Sequence, residues 1–531
     1  MAIIINEVRL PFTEDKNEAI KSAIKRINVK NSDIIDSYIV KASVDARHKN
    51  NIYIVYSVGL ELAYGEEQAV KRAANSNVVL RTKNDYVLKT GSTPLTNPPI
   101  IIGFGPAGMF AGLMLSRLGF NPIIIERGGN VDDRIKSVQD FWHNGILNEQ
   151  CNVQFGEGGA GTFSDGKLTT RINDPRCDMV LDEFVKHGAP PEIKKIAKPH
   201  IGTDKLRDIV KSIRQEIIQN GGQIRFNTTL DDITIENGCI KSVVLSDGSE
   251  ICTEALLLCI GHSARDTFKM LLKRGVDITP KPFSVGVRVE HLQSEIDKAL
   301  YGSLAGHPAL PSGEYQLSHR QNGRAVYTFC MCPGGTVVAA ASEAGGIVTN
   351  GMSYFNRDGK NANAALVVSV DSADFGTAPL AGMEFQRGLE QSAYKAVGNS
   401  YKAPFQTVNA FLNGAFIFKT GAVQPSYTAG VTPYRLDSIF PEHISAMLKT
   451  GIQAFGKRLS GFDSGEAILT GVETRTSSPV RLQRNELFEA VNTHGLYPVG
   501  EGAGYAGGIM SAAVDGLRVA EAIISKFAPI K

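Results

Sequence analysis

The stretch IIIGFGPAGMF, residues 100–110, decides the fold of this chain. Its three isoleucines predict a buried strand, and the glycines spaced Gly-x-Gly-x-x-Gly predict a tight turn into a helix that begins at Pro106. A second apolar run, residues 122–125, follows the helix and is followed by Glu126. Strand, helix and strand in this order predict a β-α-β unit of an α/β fold.

Each glycine of this turn has its own physical role. Gly103 permits the turn out of the strand, Gly105 lets the backbone approach a pyrophosphate, and Gly108 lets the helix pack closely on the strand. The N-terminus of the helix then favours an anion. Glu126, about 20 residues downstream, is placed to accept hydrogen bonds from a ribose diol. Glycine triplets also arise by chance in loops, but this context of strand, helix and acid predicts a bound dinucleotide.

Composition excludes several other classes of protein. The chain has 531 residues, of which 43% are hydrophobic and 21% charged, and a net charge of +2. This balance is typical of a globular protein and gives no global reason to expect nucleic acid or a membrane surface as a partner. No apolar run reaches the about 18 residues of a membrane helix, and the N-terminus has no basic leader. We therefore expect a cytoplasmic protein.

Metal and disulfide chemistry are not indicated either. The seven cysteines include no C-x-x-C spacing, which fits neither a disulfide framework nor a zinc site. The histidines form no cluster with ligand spacing. We expect reduced cysteines and no metal.

The segments GFGPAG and IIIERG resemble the first two FAD contacts of the glutathione-reductase-like flavoprotein superfamily. Two further FAD segments of that superfamily resemble ALLLCIGHSA, residues 255–264, and VGEGAGYAGGIMSAA, residues 499–513. The segments FGEGGAGTFSDGKLTTR, GHSARDTF, TFCMCPGG, TNGMSYFNRDGKNANAA and GVETRTSSPVR are similar to those of a largely uncharacterised group of bacterial FAD-dependent dehydrogenases. This resemblance covers nearly the whole chain.

The resemblance implies FAD as the cofactor and a role for each matching segment. The first glycine turn would hold the pyrophosphate, Glu126 the adenosine ribose, and the strand IRFNTTL, residues 224–230, would pass the adenine near Leu230. Glu501 would contact the ribityl chain, although many relatives have the shorter Asp there. The loop GEGGAGTFSDGK would run along the pyrophosphate and the flavin ring, unless it is simply a surface loop. The residues expected to bind FAD are Gly103, Gly105, Pro106, Ala107, Gly108, Glu126, Arg127, Gly159, Gly161, Lys167, Leu230, Gly261, Gly500, Glu501, Gly507, Gly508 and Ile509.

The expected architecture is α/β, with a Rossmann-like FAD-binding domain, an inserted mixed α+β substrate domain and a small N-terminal βαββ domain. The Gly- and Pro-rich segment at residues 89–99 marks the clearest boundary. We expect the N-terminal domain at 1–92, the FAD-binding domain at 97–284 and 486–531, and the substrate or cap domain at 285–485.

The candidates for catalysis leave alternatives open. His262 follows Gly261 and would lie near the cofactor, or else Ser263 simply caps the next helix. Arg288 shares a strand face with Glu290, over a cavity or at a solvated edge.

Two further pairs in the same region are ambiguous. Arg475 and Arg481 flank TSSP and could hold an anionic group, or be paired structurally. Cys330 and Cys332 share a strand face, where core packing is favoured over a redox pair.

The expected function is that of an FAD-dependent dehydrogenase or reductase, which transfers a hydride between flavin N5 and a small-molecule substrate. Outside the segments matched to FAD, no second Gly-x-Gly-x-x-Gly is present, so NAD(P)H would bind transiently, or a redox protein or the substrate would supply electrons. One alternative is a flavin-dependent monooxygenase of the aromatic-hydroxylase type, which usually has Asp-Gly where this chain has His262-Ser263. Another is a non-catalytic flavin-bearing binding or sensor protein, with the N-terminal domain as the partner-binding element. The sequence specifies neither the substrate nor the oligomeric state.

Overall fold

The N-terminal unit is a four-stranded antiparallel sheet with two helices, within a computed structural model that describes residues 1–49, 51–82, 88–416 and 419–529. Its elements, in chain order, are β1 (Ala2–Pro11), α1 (Lys16–Ile27), β2 (Ile34–Asp45), β3 (Tyr53–Leu62), α2 (Glu66–Ala73) and β4 (Val78–Arg81). The strand order is β2-β3-β1-β4. The predicted βαββ domain is therefore wrong in extent, since α2 and β4 complete a β-α-β-β-α-β unit. Helix α2 has only eight residues and buries only Ala69 fully, so it presents a small apolar face.

A five-stranded parallel sheet carries the glycine-rich turn. The elements of this part of the chain are β5 (Thr93–Pro94), β6 (Ile100–Ile102), α3 (Pro106–Arg117), β7 (Ile123–Ile125), α4 (Val131–Asn144), α5 (Arg176–Lys186), α6 (Thr203–Gln219), β8 (Gln223–Arg225), β9 (Leu230–Glu236), β10 (Cys239–Leu245), β11 (Glu250–Cys252), β12 (Leu256–Leu258), α7 (Arg265–Lys273) and β13 (Ile278–Pro280). The last elements of the chain are β24 (Leu496–Pro498), α13 (Ile509–Lys526) and β25 (Phe527–Ala528). The order of the parallel strands is β24-β12-β6-β7-β8, so the C-terminal segment returns to the first sheet.

Burial on both faces explains the continuous apolar runs of these strands. Ile101 packs into a core with Ile124 and Leu257 on the side of α3, α6 and α13. Ile100 and Ile102 face the other way, into a core shared with the three-stranded sheet β11-β10-β9. Strands covered on both sides read as unbroken hydrophobic sequence, typical of a parallel sheet between layers.

A seven-stranded sheet is the largest sheet in the remaining described chain. The elements of this part are β14 (Phe283–Leu292), α8 (Gln293–Tyr301), β15 (Ser318–Gln321), β16 (Arg324–Cys332), β17 (Thr336–Ala339), β18 (Thr349–Met352), β19 (Asn361–Val370), α9 (Ser372–Phe375), α10 (Ala381–Ala396), β20 (Ala403–Thr407), α11 (Val408–Asn413), β21 (Val431–Pro433), α12 (Glu442–Gly456), β22 (Ile468–Glu473) and β23 (Val480–Leu482). The strand order is β15-β16-β19-β14-β22-β20-β21. Along β14, Val285, Val287 and Val289 face the hydrophobic core, whereas Arg288 and Glu290 alternate with them on the opposite face.

The predicted domain boundaries stay predictions, and one predicted strand needs correction. The segment IRFNTTL, expected to be one strand, is divided: β8 ends at Arg225 and β9 begins at Leu230. Strand β23 pairs with β13 and lies outside the seven-stranded sheet. No helix in the described part of the chain is long and apolar enough to cross a membrane.

Close packing of α3 against α13 joins the two ends of this α/β unit. A Cβ atom built on Gly108 would lie 2.0 Å from the Gly103 carbonyl oxygen, and one on Gly516 would lie 2.2 Å from the Ala107 carbonyl oxygen. Both distances are far below van der Waals contact, so only glycine fits at either position. The last helix therefore lies against the first glycine turn.

Gly516→Ala is expected to lower the free energy of unfolding by about 1–3 kcal/mol, because the added methyl group would overlap the Ala107 carbonyl. The matched control is Gly388→Ala in α10, where an added Cβ meets no atom within 4 Å. We expect that control to be neutral or stabilising by up to about 1 kcal/mol. Chemical denaturation followed by circular dichroism measures both, and equal stability of the two variants would contradict this packing.

Candidate functional site

A cavity of about 1530 Å³ is lined by residues of both the parallel sheet and the seven-stranded sheet. Its volume exceeds the roughly 300–1,000 Å³ of ordinary small-molecule sites. The cavity thus has room for an extended cofactor together with a second ligand.

Most of the residues predicted to bind FAD reach this one cavity. Those that line it are Gly103, Gly105, Pro106, Ala107, Glu126, Arg127, Gly159, Gly161, Lys167, Leu230, Gly261, Glu501, Gly507, Gly508 and Ile509. Gly108 and Gly500 do not line it. Gly108 lies within α3, and Gly500 packs against that helix, where a Cβ on Gly500 would lie 2.9 Å from the Ala107 Cβ. Segments 400 residues apart in sequence therefore meet in space.

Two glycine loops touch at the floor of the cavity. Gly159 has φ of 62°, and its Cβ would lie 2.9 Å from the Gly105 Cα, so the loops approach backbone to backbone. The loop around Gly159 is not a surface loop, since Glu157 and Phe163 beside it are buried. That alternative interpretation of GEGGAGTFSDGK is wrong.

Glu126 holds these loops together through its carboxylate. Oε2 accepts a hydrogen bond from the Phe104 N–H at 2.7 Å, and Oε1 accepts from the N–H groups of Gly128 and Gly156, each at 2.9 Å. A carboxylate has about four acceptor positions, so about one is left for a ligand. The contact with a ribose stays a prediction, and the observed role of Glu126 is to organise the turn.

Arg134 is a structural residue of the site that sequence reasoning missed. It is fully buried and donates to the carbonyl oxygens of Asn152, Val153 and Glu157 at 2.7–2.9 Å. Burial lowers its pKa to about 10. A signal was present, because Arg134 lies on the apolar face of α4 between Val131 and Val138, where an arginine requires internal partners.

Two helix N-termini open into the cavity without a side-chain cap. Gly105 precedes α3 and Gly508 precedes α13, and neither offers a side-chain hydrogen bond to the first turn. A Cβ on Gly507 or Gly508 would meet no atom within 4 Å. In contrast, Asn130 caps α4 with its side chain. Uncapped N–H groups at the positive end of a helix dipole suit an anion or a carbonyl oxygen.

His262 and Glu501 form a hydrogen-bonded pair in the cavity wall. His262 Nδ1 lies 2.9 Å from Glu501 Oε1, and among the described residues the buried Nε2 of His262 has no hydrogen-bond partner. The helix-capping role suggested for Ser263 is wrong, because Ala264 precedes α7 and no side chain caps it. Ser263 instead accepts from Arg475 Nη1 at 2.8 Å. His262 thus keeps one ring nitrogen free for a ligand.

Arg475 and Arg481 do not form a common anion clamp. Arg475 lines the cavity but donates to both oxygens of Glu390, at 2.8 and 3.0 Å. Arg481 lies outside the cavity lining, where it donates to the Gly504 carbonyl and stacks over the Tyr505 ring. The structural pairing, one of the two interpretations of Arg475, is the arrangement observed.

Arg265 completes a buried charge cluster around Glu390. It donates to Glu390 Oε1 and Oε2 at 2.9 Å and to Glu343 at 2.5 Å. Two guanidinium groups and one buried carboxylate thus connect α7, α10 and the segment after β22. Such a cluster positions Ser263 and the cavity wall beside His262.

Arg288 lies behind the cavity on the buried face of β14. It has no exposed surface and donates to Glu473 at 2.8 Å and to the Cys330 carbonyl at 3.0 Å. Glu290 is also buried and accepts from Asn361 and Ser426. The interpretation of this strand face as a solvated edge is wrong.

Lys167 and Arg127 are both engaged by protein groups. Lys167 Nζ donates to Asp165 at 2.6 Å and to the Met331 carbonyl, so it lies against the cysteine-containing strand β16. Arg127 donates to Asp266 at 2.8 Å and stacks over the Phe155 ring. Within the described ranges, no three His, Cys, Asp or Glu side chains are arranged to hold a metal ion.

These features fit FAD. The α3 N-terminus and the touching glycine loops would hold the diphosphate, and the open N-terminus of α13 would face an electron-rich edge of the flavin. The unpartnered His262 Nε2 supplies a further polar contact. The chemistry of this donor set, with N–H groups, small residues and few free charges, is that of a dinucleotide site.

Glu390→Gln is expected to lower the free energy of unfolding by about 3–5 kcal/mol, because it removes the charge between two buried arginines. The matched control is Glu384→Gln on the same helix, whose side chain is half exposed and pairs with Arg387. That control should change stability by less than about 1 kcal/mol. Denaturation curves measure both, and similar effects would show that the Glu390 cluster contributes no more than a surface pair.

The same variant has a pH signature. Burial alone would raise the pKa of Glu390, but Arg265 and Arg475 outweigh it and hold the pKa at about 2. A carboxyl with a depressed pKa stabilises the fold above its ordinary pKa of 4.5, and this stabilisation is lost as the pH falls toward the folded value. The stability difference between wild type and Glu390→Gln should therefore shrink below pH 4.5.

Comparison with known proteins identifies relatives of the chain. Residues 282–476 match a family described as FAD-dependent protein, C-terminal domain-like, and residues 2–61 match a domain of unknown function. A protein of Clostridium beijerinckii, described as an uncharacterized protein, is 49% identical over 531 residues, with 99% of each chain covered.

Several solved structures are similar over most of the chain. CtdE in complex with FAD is 12% identical, with 80% of this chain and 83% of that one covered and a TM-score of 0.32. The flavin-dependent brominase Bmp2 is 13% identical, with 80% and 78% covered and a TM-score of 0.37. Glycine oxidase from Geobacillus kaustophilus is 11% identical, with 81% and 95% covered and a TM-score of 0.35. At 49% identity over nearly its whole length, the chain belongs to the same family as the Clostridium beijerinckii protein, a family of FAD-dependent proteins, and FAD is its cofactor.

Proposed function

We propose that this protein is an FAD-dependent dehydrogenase or reductase whose cofactor and small-molecule substrate share one cavity. The observation that carries the proposal is that the glycine loops and the polar edge of the seven-stranded sheet line the same cavity of about 1530 Å³. The parallel sheet would be the Rossmann-like FAD-binding domain of the glutathione-reductase-like superfamily. The seven-stranded sheet would belong to the substrate domain.

When bound, FAD would supply the hydride donor or acceptor of the reaction. The N-terminus of α13 would stabilise negative charge that develops beside it, because its N–H groups are not capped. Glu501 accepts a hydrogen bond from His262 Nδ1 and thereby orients the imidazole ring. Nε2 would then accept a proton from a ligand and hold it.

The substrate side of the cavity offers polar and aromatic contacts. Tyr315 and Tyr327 line it, and the Tyr315 hydroxyl is buried without a hydrogen-bond partner. Arg320 on β15 is exposed at this wall, where it would attract an acidic group. A buried hydroxyl without a partner costs free energy, so a ligand that accepts its proton in a hydrogen bond would be favoured.

The source of electrons is part of the proposal. Outside the segments assigned to FAD, the chain contains no second Gly-x-Gly-x-x-Gly, so we infer that NAD(P)H binds transiently at the cavity. A redox protein would otherwise reduce or oxidise the cofactor.

We expect NADH or NADPH to bleach the flavin absorbance of the purified holoprotein under anaerobic conditions. Stopped-flow spectra at increasing nicotinamide concentration measure the rate, and the other nicotinamide serves as the matched comparison. Flavin bands that persist with both would contradict a nicotinamide-linked reductase and favour a redox protein or the substrate as the donor. Rapid oxygen consumption coupled to substrate conversion would instead favour a monooxygenase.

Gly105→Glu is expected to give a folded protein that does not retain FAD, because a carboxylate would occupy the N-terminus of α3 where the diphosphate would bind. Gly105→Ala is the control, since a Cβ there meets only the Gly159 Cα, at an ordinary 3.6 Å. The flavin-to-protein absorbance ratio after gel filtration measures retention, and circular dichroism checks the fold. Full flavin occupancy in the Glu variant would overturn the placement of the diphosphate.

A further inference from the structure

Strand β16 is distorted where it reaches the cavity. Strand β16 pairs regularly with β19 as far as Phe329, and the pairing resumes at Cys332. Between these two points β16 advances by three residues and β19 by two. Within this bulge Cys330 has φ of 45°, a left-handed conformation uncommon for a residue with a Cβ. Bulges of this kind redirect a side chain and concentrate beside functional sites.

Two cysteines of this bulge lie at the cavity wall. Cys330 lines the cavity, whereas Cys332 is buried with no exposed surface. Cys332 Sγ lies 3.4 Å from the Cys330 carbonyl oxygen, so the buried thiol lies against the backbone of Cys330. Alternate residues of a regular strand have Cα atoms about 6.6 Å apart. That separation lies within the upper limit of about 6.8 Å for a disulfide.

Two cations lie against this pair. Lys167 donates to the Met331 carbonyl, and Arg288 donates to the Cys330 carbonyl. The Cys332 hydrogen bond, followed by Lys167 and Arg288, lowers the pKa of the Cys330 thiol in spite of its burial. The hydrogen bond to Cys330 and burial raise the pKa of Cys332. A cavity-lining thiol with a lowered pKa beside a buried thiol is the arrangement of an attacking and a resolving cysteine.

We propose that Cys330 and Cys332 are a redox-active dithiol that exchanges two electrons with the FAD bound in the same cavity. As the sulfur–sulfur bond forms, both S–H bonds break, one electron pair leaves the two sulfurs, and two protons are released. Oxidised FAD accepts the electron pair together with one proton, or with both. The reverse exchange restores the two thiols. This inference rests on the proposed function, because it assigns the protein a second two-electron site beside the cofactor.

The test uses the holoprotein equilibrated with glutathione buffers of increasing oxidation, quenched with acid and treated with a maleimide. After digestion, the peptide that carries Cys330 and Cys332 is weighed by mass spectrometry. As the buffer becomes more oxidising, we expect both thiols to stop reacting with the maleimide together. The peptide should then weigh two hydrogens less than the same peptide with two free thiols. If both stay free at every ratio, or each instead carries its own glutathione, the inference is overturned.

Matched variants separate this pair from other cysteines. Cys332→Ser should abolish the bridge, whereas Cys252→Ser, at an exposed position on β11, should leave the transition of the pair unchanged. A transition that persists in Cys332→Ser would contradict the pairing.

Anaerobic titration of the oxidised holoprotein with dithionite tests the exchange with FAD. Wild type should take up about twice the reducing equivalents of Cys332→Ser before both flavin and thiols are reduced. Equal uptake would overturn the inference and leave the proposed function intact. A doubled uptake in a protein whose flavin is bleached by neither NADH nor NADPH would support the redox-active dithiol. It would contradict only the proposal that NAD(P)H reduces the flavin.

Discussion

The carboxylate of Glu126 is the interaction on which the site depends. It is buried and accepts N–H groups from the first glycine turn, from the end of β7 and from the second glycine loop. An ionised carboxylate with three such donors is a strong acceptor, and no neutral side chain of that length would satisfy all three. The loops consequently meet backbone to backbone at Gly105 and Gly159, and the diphosphate position and the cavity floor follow from that contact.

The sequence predicted this α/β unit well, because its signals are local. Three isoleucines, a glycine triplet and an acid at the right spacing specify β6, α3 and β7 within 27 residues of chain, from Ile100 to Glu126. The resemblance to the flavoprotein superfamily predicted the C-terminal return, and Gly507 and Gly508 reach the same cavity as Gly105. The short, polar α2 was missed for a different reason, because it has only eight residues and buries a single side chain fully.

Residue roles were harder to predict where partners are distant in sequence. Arg475 was considered as an anion clamp, but its partner is Glu390, which lies 85 residues away on α10. Ser263 was considered as a helix cap, but it accepts from Arg475, which is 212 residues away. A local pattern specifies that a side chain is polar and on which face it lies. The choice between solvent, ligand and an internal partner is made by tertiary packing, and isolated buried charges require such partners.

The same principle explains the strand that carries both cysteines. The spacing Cys-x-Cys in a regular strand predicts two side chains on one face, and packing in the core was the simpler expectation. The extra residue in β16 breaks that alternation, so Cys330 reaches the cavity while Cys332 stays buried. Arg288 is paired with Glu473 and also donates a hydrogen bond to the Cys330 carbonyl, which supports the distorted backbone. Its buried guanidinium thus neutralises Glu473 and holds the bulge in place. In this way it connects the charge network of the seven-stranded sheet to the chemistry of the cavity wall.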